Sequence, residues 1–309
     1  MEATSPLLVI VGSVNTDLVV HTPHFPVPGE TCLGGGFQVF PGGKGANQAV
    51  AAARLGARVA LVGKVGRDEF GQQALANLQQ EGLATTHVSQ HAEAASGVAL
   101  ITINAEGQNT IVVAPGANHE LLPADIDEAM ALLEEATLLV VQLEIPLLTV
   151  VYLVEWARQR NKRVVLNPAP AQPLPEAMYR DLFLLTPNET EAELLTGIPV
   201  RDADSAQVAA QVLRERGVQN VVVTLGAQGA FVHTATYTGL VPAPRVQAVD
   251  TTAAGDVFTG ALAVALTHGW DWEQAAEFAC QAAAVAVTRL GAQVSAPYRH
   301  EVMPVPTGK

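Results

Sequence analysis

Residues 138–168 read LLVVQLEIPLLTVVYLVEWARQRNKRVVLNP. Two strand-length apolar runs, 138–143 and 163–167, enclose a segment from 146 to 160 long enough for a helix. Glu144 and Pro146 interrupt the apolar stretch, so it does not reach membrane-spanning length. A strand–helix–strand unit of this kind makes parallel strands, because the chain must cross back over the sheet before the second strand begins.

The same alternation continues on both sides. Helices are predicted near 123–135, 146–160, 188–196, 202–216, 255–268 and 271–289, between strands at 138–143, 163–167, 182–186 and 220–225. Short strands follow at 229–234 and 237–241. Upstream, Leu7–Val11 is a buried strand ending at Gly12, and a helix opens at Gly42-Gly43-Lys44-Gly45-Ala46-Asn47 and stops near Leu55-Gly56. A strand at Arg58–Val62 and a helix at Asp68–Glu81 complete that half. The pattern predicts an α/β protein with a mostly parallel, doubly wound sheet and helices on both faces. No repeat, low-complexity tract or linker divides it, so residues 1–309 read as one domain.

Two stretches stand outside the alternation. Between 17 and 40, Leu18-Val19-Val20 and Thr31-Cys32-Leu33 are short strand-like pieces set among prolines and glycines. Between 97 and 114, Gly97–Asn104 and Asn109–Ala114 form a hairpin around Glu106-Gly107. Together they predict a small second sheet.

Composition narrows the function. Hydrophobic residues are 49% and charged residues 15%, which suits a large buried core. A formal net charge of −13 opposes nucleic acid and anionic membranes, and basic residues do not run together. Only Cys32 and Cys280 are present, and residues 1–11 carry no Lys or Arg before the first apolar run, so a reduced, cytoplasmic protein is expected. Eight histidines form no HExxH or cluster, so a zinc site is not expected. Trp156, Trp270 and Trp272 are read as core packing.

Ligands of open α/β sheets bind beyond the carboxyl ends of the strands. Asn15, Asp17, Glu144, Asn167, Asn188, Thr224 and Asp256 all fall at such junctions. The strongest local motif is Asp250-Thr251-Thr252-Ala253-Ala254-Gly255-Asp256, which runs straight into a helix. Its small residues bring an anion close to unpaired N–H groups at a helix mouth, and Asp256 beside them suits a general base. A capped helix beginning with an acidic residue has the same appearance. The turn Gly42–Asn47 is neither a Walker A loop nor a dinucleotide fingerprint, but its amides, Lys44 and Asn47 can hold a polyol. Asn188 and Glu191, one helical turn apart, can order Mg²⁺-bound water or simply complement the helix dipole. Thr224-Leu225-Gly226-Ala227-Gln228-Gly229 can lie along a flat ligand or form a plain hairpin turn.

Taken together, Gly12–Asp17, Pro41–Ala53, Asn167–Pro170, Thr186–Glu193, Asp250–Asp256 and Ala286–Ser295 resemble the ribokinase, or PfkB-type, family of carbohydrate kinases from end to end. The Gly-Gly and Ala-Gly-Asp segments, in this order and separation, carry most of the specificity. The resemblance implies a three-layer α/β/α domain with a β-sheet lid built from the two outlying stretches, and a homodimer formed through that lid. It implies ATP-dependent phosphorylation of ribose at the 5-hydroxyl, or of 2-deoxyribose, another sugar or a nucleoside. Asn15, Asp17, Gly43, Lys44, Asn47 and Glu144 would bind the sugar, and Asp256 would be the base. Ala253, Ala254 and Gly255 would form the anion hole. Asn188, Glu191, Thr224 to Gly229, Gly255 and Cys280 would lie along ATP with its Mg²⁺. A K⁺ activator would take oxygens from Asp250, Thr252, Ala286, Arg289, Gly291 and Ser295. A non-catalytic sugar-binding regulator is the rival from another class, and an NAD-dependent oxidoreductase is opposed by the missing glycine pattern.

Overall fold

Every side chain of Leu7–Val11 is buried. Leu8 and Ile10 face one hydrophobic core and Leu7, Val9 and Val11 face another, so this strand lies in the middle layer of the molecule. The computed structural model describes residues 6–302. In chain order its strands are β1 (Leu7–Val11), β2 (Asn15–His21), β3 (Phe37–Gly42), β4 (Arg58–Gly66), β5 (Ala84–His91), β6 (Gly97–Ile103), β7 (Asn109–Ala114), β8 (Leu138–Val141), β9 (Val164–Leu166), β10 (Leu184–Leu185), β11 (Val221–Thr224), β12 (Ala230–His233) and β13 (Thr238–Val241). The helices are α1 (Lys44–Arg54), α2 (Glu69–Gln80), α3 (Pro123–Glu128), α4 (Met130–Glu135), α5 (Leu147–Gln159), α6 (Glu176–Tyr179), α7 (Glu189–Thr196), α8 (Ala203–Glu215), α9 (Ala254–Thr267) and α10 (Trp272–Ala286).

The main sheet has the order β13-β12-β11-β10-β9-β8-β1-β4-β5. Pairings from β5 through β11 are parallel, and β12 and β13 extend the sheet antiparallel. Helices α1, α2, α9 and α10 cover one face and α3 to α8 the other. This is the three-layer α/β/α arrangement expected. A four-stranded sheet, β3-β2-β6-β7, forms the lid. No helix among the described residues is long and apolar enough to cross a membrane.

Some boundaries differ from the sequence reading. Thr31-Cys32-Leu33 is not a strand; the partner of β2 begins at Phe37, where Gly34–Gly36 turn back against His21. The helix expected over 123–135 divides at Ala129, whose N–H is shared between the carbonyls of Asp125 and Ile126. The strand at 58–62 runs on to Gly66, and that at 182–186 shortens to Leu184–Leu185. β5 was unforeseen: it is an edge strand with one buried residue, Val88, so it lacks an apolar run. Trp156 is buried as expected, while Trp270 and Trp272 are half-buried against the core.

The helix pair α1 and α9 positions the site. Both are rich in alanine where they meet, and Gly260 lies at the crossing. A Cβ on Gly260 would stand 2.8 Å from the Gln48 carbonyl oxygen and 3.1 Å from the Ala51 Cβ. The two backbones therefore approach as closely as glycine allows. Gly260→Ala gains about 1 kcal/mol of helix propensity. Overpacking is expected to outweigh it, for a net loss of roughly 1–2 kcal/mol in urea unfolding. A stabilised variant would show that the helices have room to part.

Candidate active site

Gly12 ends β1, and the chain turns through Ser13 and Val14 into the lid. Gly43 has φ 89°, and a Cβ there would meet the Asn15 nitrogen at 2.6 Å, so only glycine lets the return strand close on this turn. The turn delivers Lys44 and Asn47 on the first turn of α1. The Lys44 N–H donates to Glu144 Oε2 at 3.0 Å, and the Ser13 hydroxyl donates to the same oxygen. Asn118 fixes the lid base: its Oδ1 accepts from the Val14 N–H at 2.8 Å and its Nδ2 donates to Asn15 Oδ1 at 2.7 Å. That bond leaves the NH₂ of Asn15 free to donate to a ligand.

Across the cleft, Asp256 lies in the first turn of α9, 5% exposed. Its Oδ2 accepts from Asn47 Nδ2 at 2.9 Å and its Oδ1 from Gln48 Nε2 at 3.0 Å. Ala253, which precedes α9, adopts φ 58°, a left-handed conformation that costs a non-glycine residue roughly 1–2 kcal/mol. The Ala254 N–H donates to the Thr251 carbonyl at 3.2 Å. The Gly255 and Asp256 N–H groups have no acceptor among the described residues. Free donors at a helix mouth form an anion site.

A cavity of about 220 Å³ is lined by Lys44, Asn167, Ala169, Thr186, Asn188, Glu191, Thr224, Thr251, Ala253, Ala254, Gly255, Asp256 and Thr259, while Asn15, Asp17, Gly43, Asn47 and Glu144 lie outside its lining. A larger surface hollow of about 540 Å³, flanked by α5 and α6, holds the Arg158–Asp181 ion pair and none of these residues. The first one sits where strands β9, β10 and β11 end, which is where an open α/β sheet binds ligands.

Lys44 stands among four acidic side chains, of which Glu191 and Asp256 line the cavity while Asp17 and Glu144 lie outside its lining. Burial first, then Glu144 and Asp256, push the Asp17 carboxyl up to about 7, against the pull of Lys44. Burial pushes Glu191 up to about 7 as well, although the Asn188 N–H and Lys44 favour its charge. Lys44 is raised, chiefly by Asp256. Asn188 and Glu191 form a reciprocal cap: Asn188 Oδ1 accepts from the Glu191 N–H at 2.8 Å, and Glu191 Oε2 accepts from the Asn188 N–H at 2.9 Å.

Thr224 lines the cavity, but Leu225 points into the core and Gln228 turns outward to the Arg201 carbonyl. The loop Gly226–Gln228 joins antiparallel strands, so the hairpin reading of Thr224–Gly229 describes its backbone. Cys280 is buried on α10, with its thiol pushed up to about 12 by burial and Glu277, and it does not line the cavity. Asp250 ties its loop to the C-terminal one, accepting from the Thr252 N–H and the Gly291 N–H, both at 2.9 Å. Ala286 precedes this loop on α10, and the Ser295 hydroxyl donates to the Ala292 carbonyl. The Arg289 side chain is committed to Glu301. Sequence reasoning passed over Ser13, Gln48 and Asn118, whose partners lie 131, 208 and 104 residues away.

A buried carboxylate facing free amides at a helix mouth, under a lid that presents polar side chains, defines a phosphotransferase acting on a hydroxylated small molecule. The chain belongs to the pfkB family of carbohydrate kinases, whose description matches residues 5–299. It is 43% identical over 296 residues to a ribokinase of Haemophilus influenzae, covering 96% of this chain and 97% of that one. It is 42% identical to a deoxyribokinase of Salmonella typhi, covering 94% and 95%. Among solved structures it is similar to the ribokinase of Arabidopsis thaliana complexed with ribose and ATP, with TM-score 0.91, 32% identity and coverage of 97% and 98%.

The raised Asp17 sets a pH dependence. A carboxyl that holds its proton more tightly when folded gives stability that is complete below its unfolded value, 3.8, and is lost as pH rises through about 7. Asp17→Asn is expected to stabilise the free protein at pH 8 by roughly 2–4 kcal/mol and to leave it nearly unchanged at pH 4. Equal effects at both pH values in denaturant titrations would contradict the burial of a charge there.

Proposed function

We propose that this kinase transfers the γ-phosphoryl group of ATP to the 5-hydroxyl of D-ribose, giving ribose 5-phosphate and ADP. One observation carries the reading: the Asp256 carboxylate and the unpartnered Gly255 and Asp256 amides share one helix mouth that lines the cavity. The base takes the hydroxyl proton while the amides receive the charge spreading over the transferring group. Ala253 and Ala254 shape that anion hole through backbone and small side chains.

Asn15, Asp17, Gly43, Lys44, Asn47 and Glu144 would hold the sugar. Asn15 offers its NH₂ and Asp17 accepts from ring hydroxyls. Asn47 Oδ1 is buried without a partner, an acceptor that a sugar hydroxyl would satisfy. The bound sugar and the lid then exclude water from the phosphoryl group. ATP would lie along Asn188, Glu191 and the backbone of Thr224–Gly229, reaching toward Cys280 on α10.

Mg²⁺ would be held near the Asn188–Glu191 cap, which lines the cavity and offers hard oxygens to the ion or to its bound water. When bound, Mg²⁺ neutralises charge on the β- and γ-phosphates. K⁺ would take oxygens from Asp250, Thr252, Ala286, Arg289, Gly291 and Ser295, a reading supported by the Asp250–Gly291 bond that joins the two loops. A filled site there would stiffen the anion hole that follows at Ala253. The unpaired Cys32 and Cys280 are in keeping with a cytoplasmic location.

The deoxyribokinase relative favours 2-deoxyribose as the second substrate to test. Asp256→Asn is expected to fold, because Asn47 can turn its unpartnered Oδ1 toward the new amide. Turnover is expected to fall about 10²–10⁴-fold while ATP and ribose still bind. ADP release on ribose, 2-deoxyribose and other sugars, with and without K⁺, measures this. Near-normal turnover would remove Asp256 as the base, and a higher kcat/KM on 2-deoxyribose would change the substrate. Sugar binding without ADP release would leave a sugar-binding regulator.

The lid also suggests a second copy of the chain. Val39, Leu18, Leu100 and Val112 stand in one cross-strand row on the face opposite Asp17. Leu100 and Val112 are 52% and 65% exposed, an apolar surface that a homodimer through the lid would cover. Leu100→Asp with Val112→Asp is expected to halve the mass measured by light scattering. An unchanged dimeric mass would place the interface elsewhere, and a monomeric parent protein would refute it.

A further inference from the structure

We propose that Gln48 is a positioning residue for the Asp256 base, held by a buried relay of amides that runs from Gln142 to Thr186. The inference rests on the reading of Asp256 as the base, and adds a residue with no contact to either substrate. Gln48 and Gln142 are both fully buried. Gln142 Nε2 donates to Gln48 Oε1 at 2.6 Å. Gln48 Nε2 then donates twice, to Asp256 Oδ1 and to Asn167 Oδ1, each at 3.0 Å. Asn167 Nδ2 closes the relay on the Thr186 carbonyl at 3.0 Å.

The sense of every amide in this chain is determined. An ionised carboxylate only accepts, so Gln48 must turn its NH₂ toward Asp256. The reversed amide would set its oxygen against those of Asp256 and Asn167, and its NH₂ against that of Gln142. Both protons of the Gln48 amide and its oxygen are therefore used within the protein, which leaves nothing for a sugar or a phosphate. Asn47, itself only 6% exposed, holds the other carboxylate oxygen. The carboxylate plane is thus gripped at both oxygens, by Asn47, which keeps one unpartnered oxygen, and by Gln48, whose polar atoms are all used.

The relay also has a cost that packing alone does not explain. Gln142 Oε1 is buried without a partner, pressed against the Gly12 backbone. An apolar residue of similar volume would avoid that unpaired acceptor. The donor that Gln142 supplies adds a second restraint on the sense of the Gln48 amide.

Gln48→Met keeps length and volume and removes the donors. Its kcat is expected to fall about 30–100-fold, with KM for ATP and for ribose changed less than about threefold. In the Asp256→Asn background, measured by single turnover, Gln48→Met is expected to cause no further loss, because the two act as one unit. A kcat within about twofold of the parent overturns the proposal, as does a loss that multiplies that of Asp256→Asn, or a rise in both KM values. If Gln48→Met does not fold, Gln142→Met removes only the outer anchor and is expected to lower kcat about 5–10-fold at unchanged KM; an unchanged kcat then overturns it. Near-normal turnover of Asp256→Asn alone is a separate result, which removes the base itself.

Discussion

The close crossing of α1 and α9 is the constraint on which the site depends. A side chain on Gly260 would press the two helices apart, since the Gln48 carbonyl already lies 2.8 Å from where a Cβ would be. The two helices come from opposite ends of the chain, yet both start beyond the carboxyl ends of parallel strands. The sheet aims their N-termini at one cleft, and the crossing sets the separation. Lys44, Asn47 and Gln48 meet Asp256 for that reason.

Electrostatics follow from the same geometry. Asp17, Glu144, Glu191 and Asp256 surround a single Lys44, and burial withholds water from them. On the proposed reading, sugar hydroxyls would bring donors to Asp17, and a phosphate with its cation would bring charge to the amides and to Glu191. The strained Ala253, the buried unpaired oxygens of Asn47 and Gln142, and the raised carboxyls all sit within this one region. Stability has been given up where chemistry needs fixed dipoles.

Legibility in the sequence tracked how local each signal was. Strands buried on both faces, such as Leu7–Val11 and Leu138–Val141, are continuous apolar runs and were readable. β5 faces the core with one residue, and β3 is exposed along its first half, so neither left a pattern. Asp256, Asn188 and Lys44 could be found because each opens a helix after a glycine or a strand. Gln48 and Gln142 could not, because their meaning lies in partners more than ninety residues away. Motif spacing marks where a helix begins; it does not say which side chain from another helix will hold its first carboxylate.

A structure of the protein with ribose, ADP and aluminium fluoride addresses the central claim most directly. The fluoride is expected within hydrogen-bond reach of the Gly255 and Asp256 amides, with the ribose 5-oxygen about 2.6–3.2 Å from an Asp256 oxygen and in line with the leaving oxygen. A fluoride bound away from the α9 mouth, or a 5-oxygen that meets no Asp256 oxygen, would contradict it.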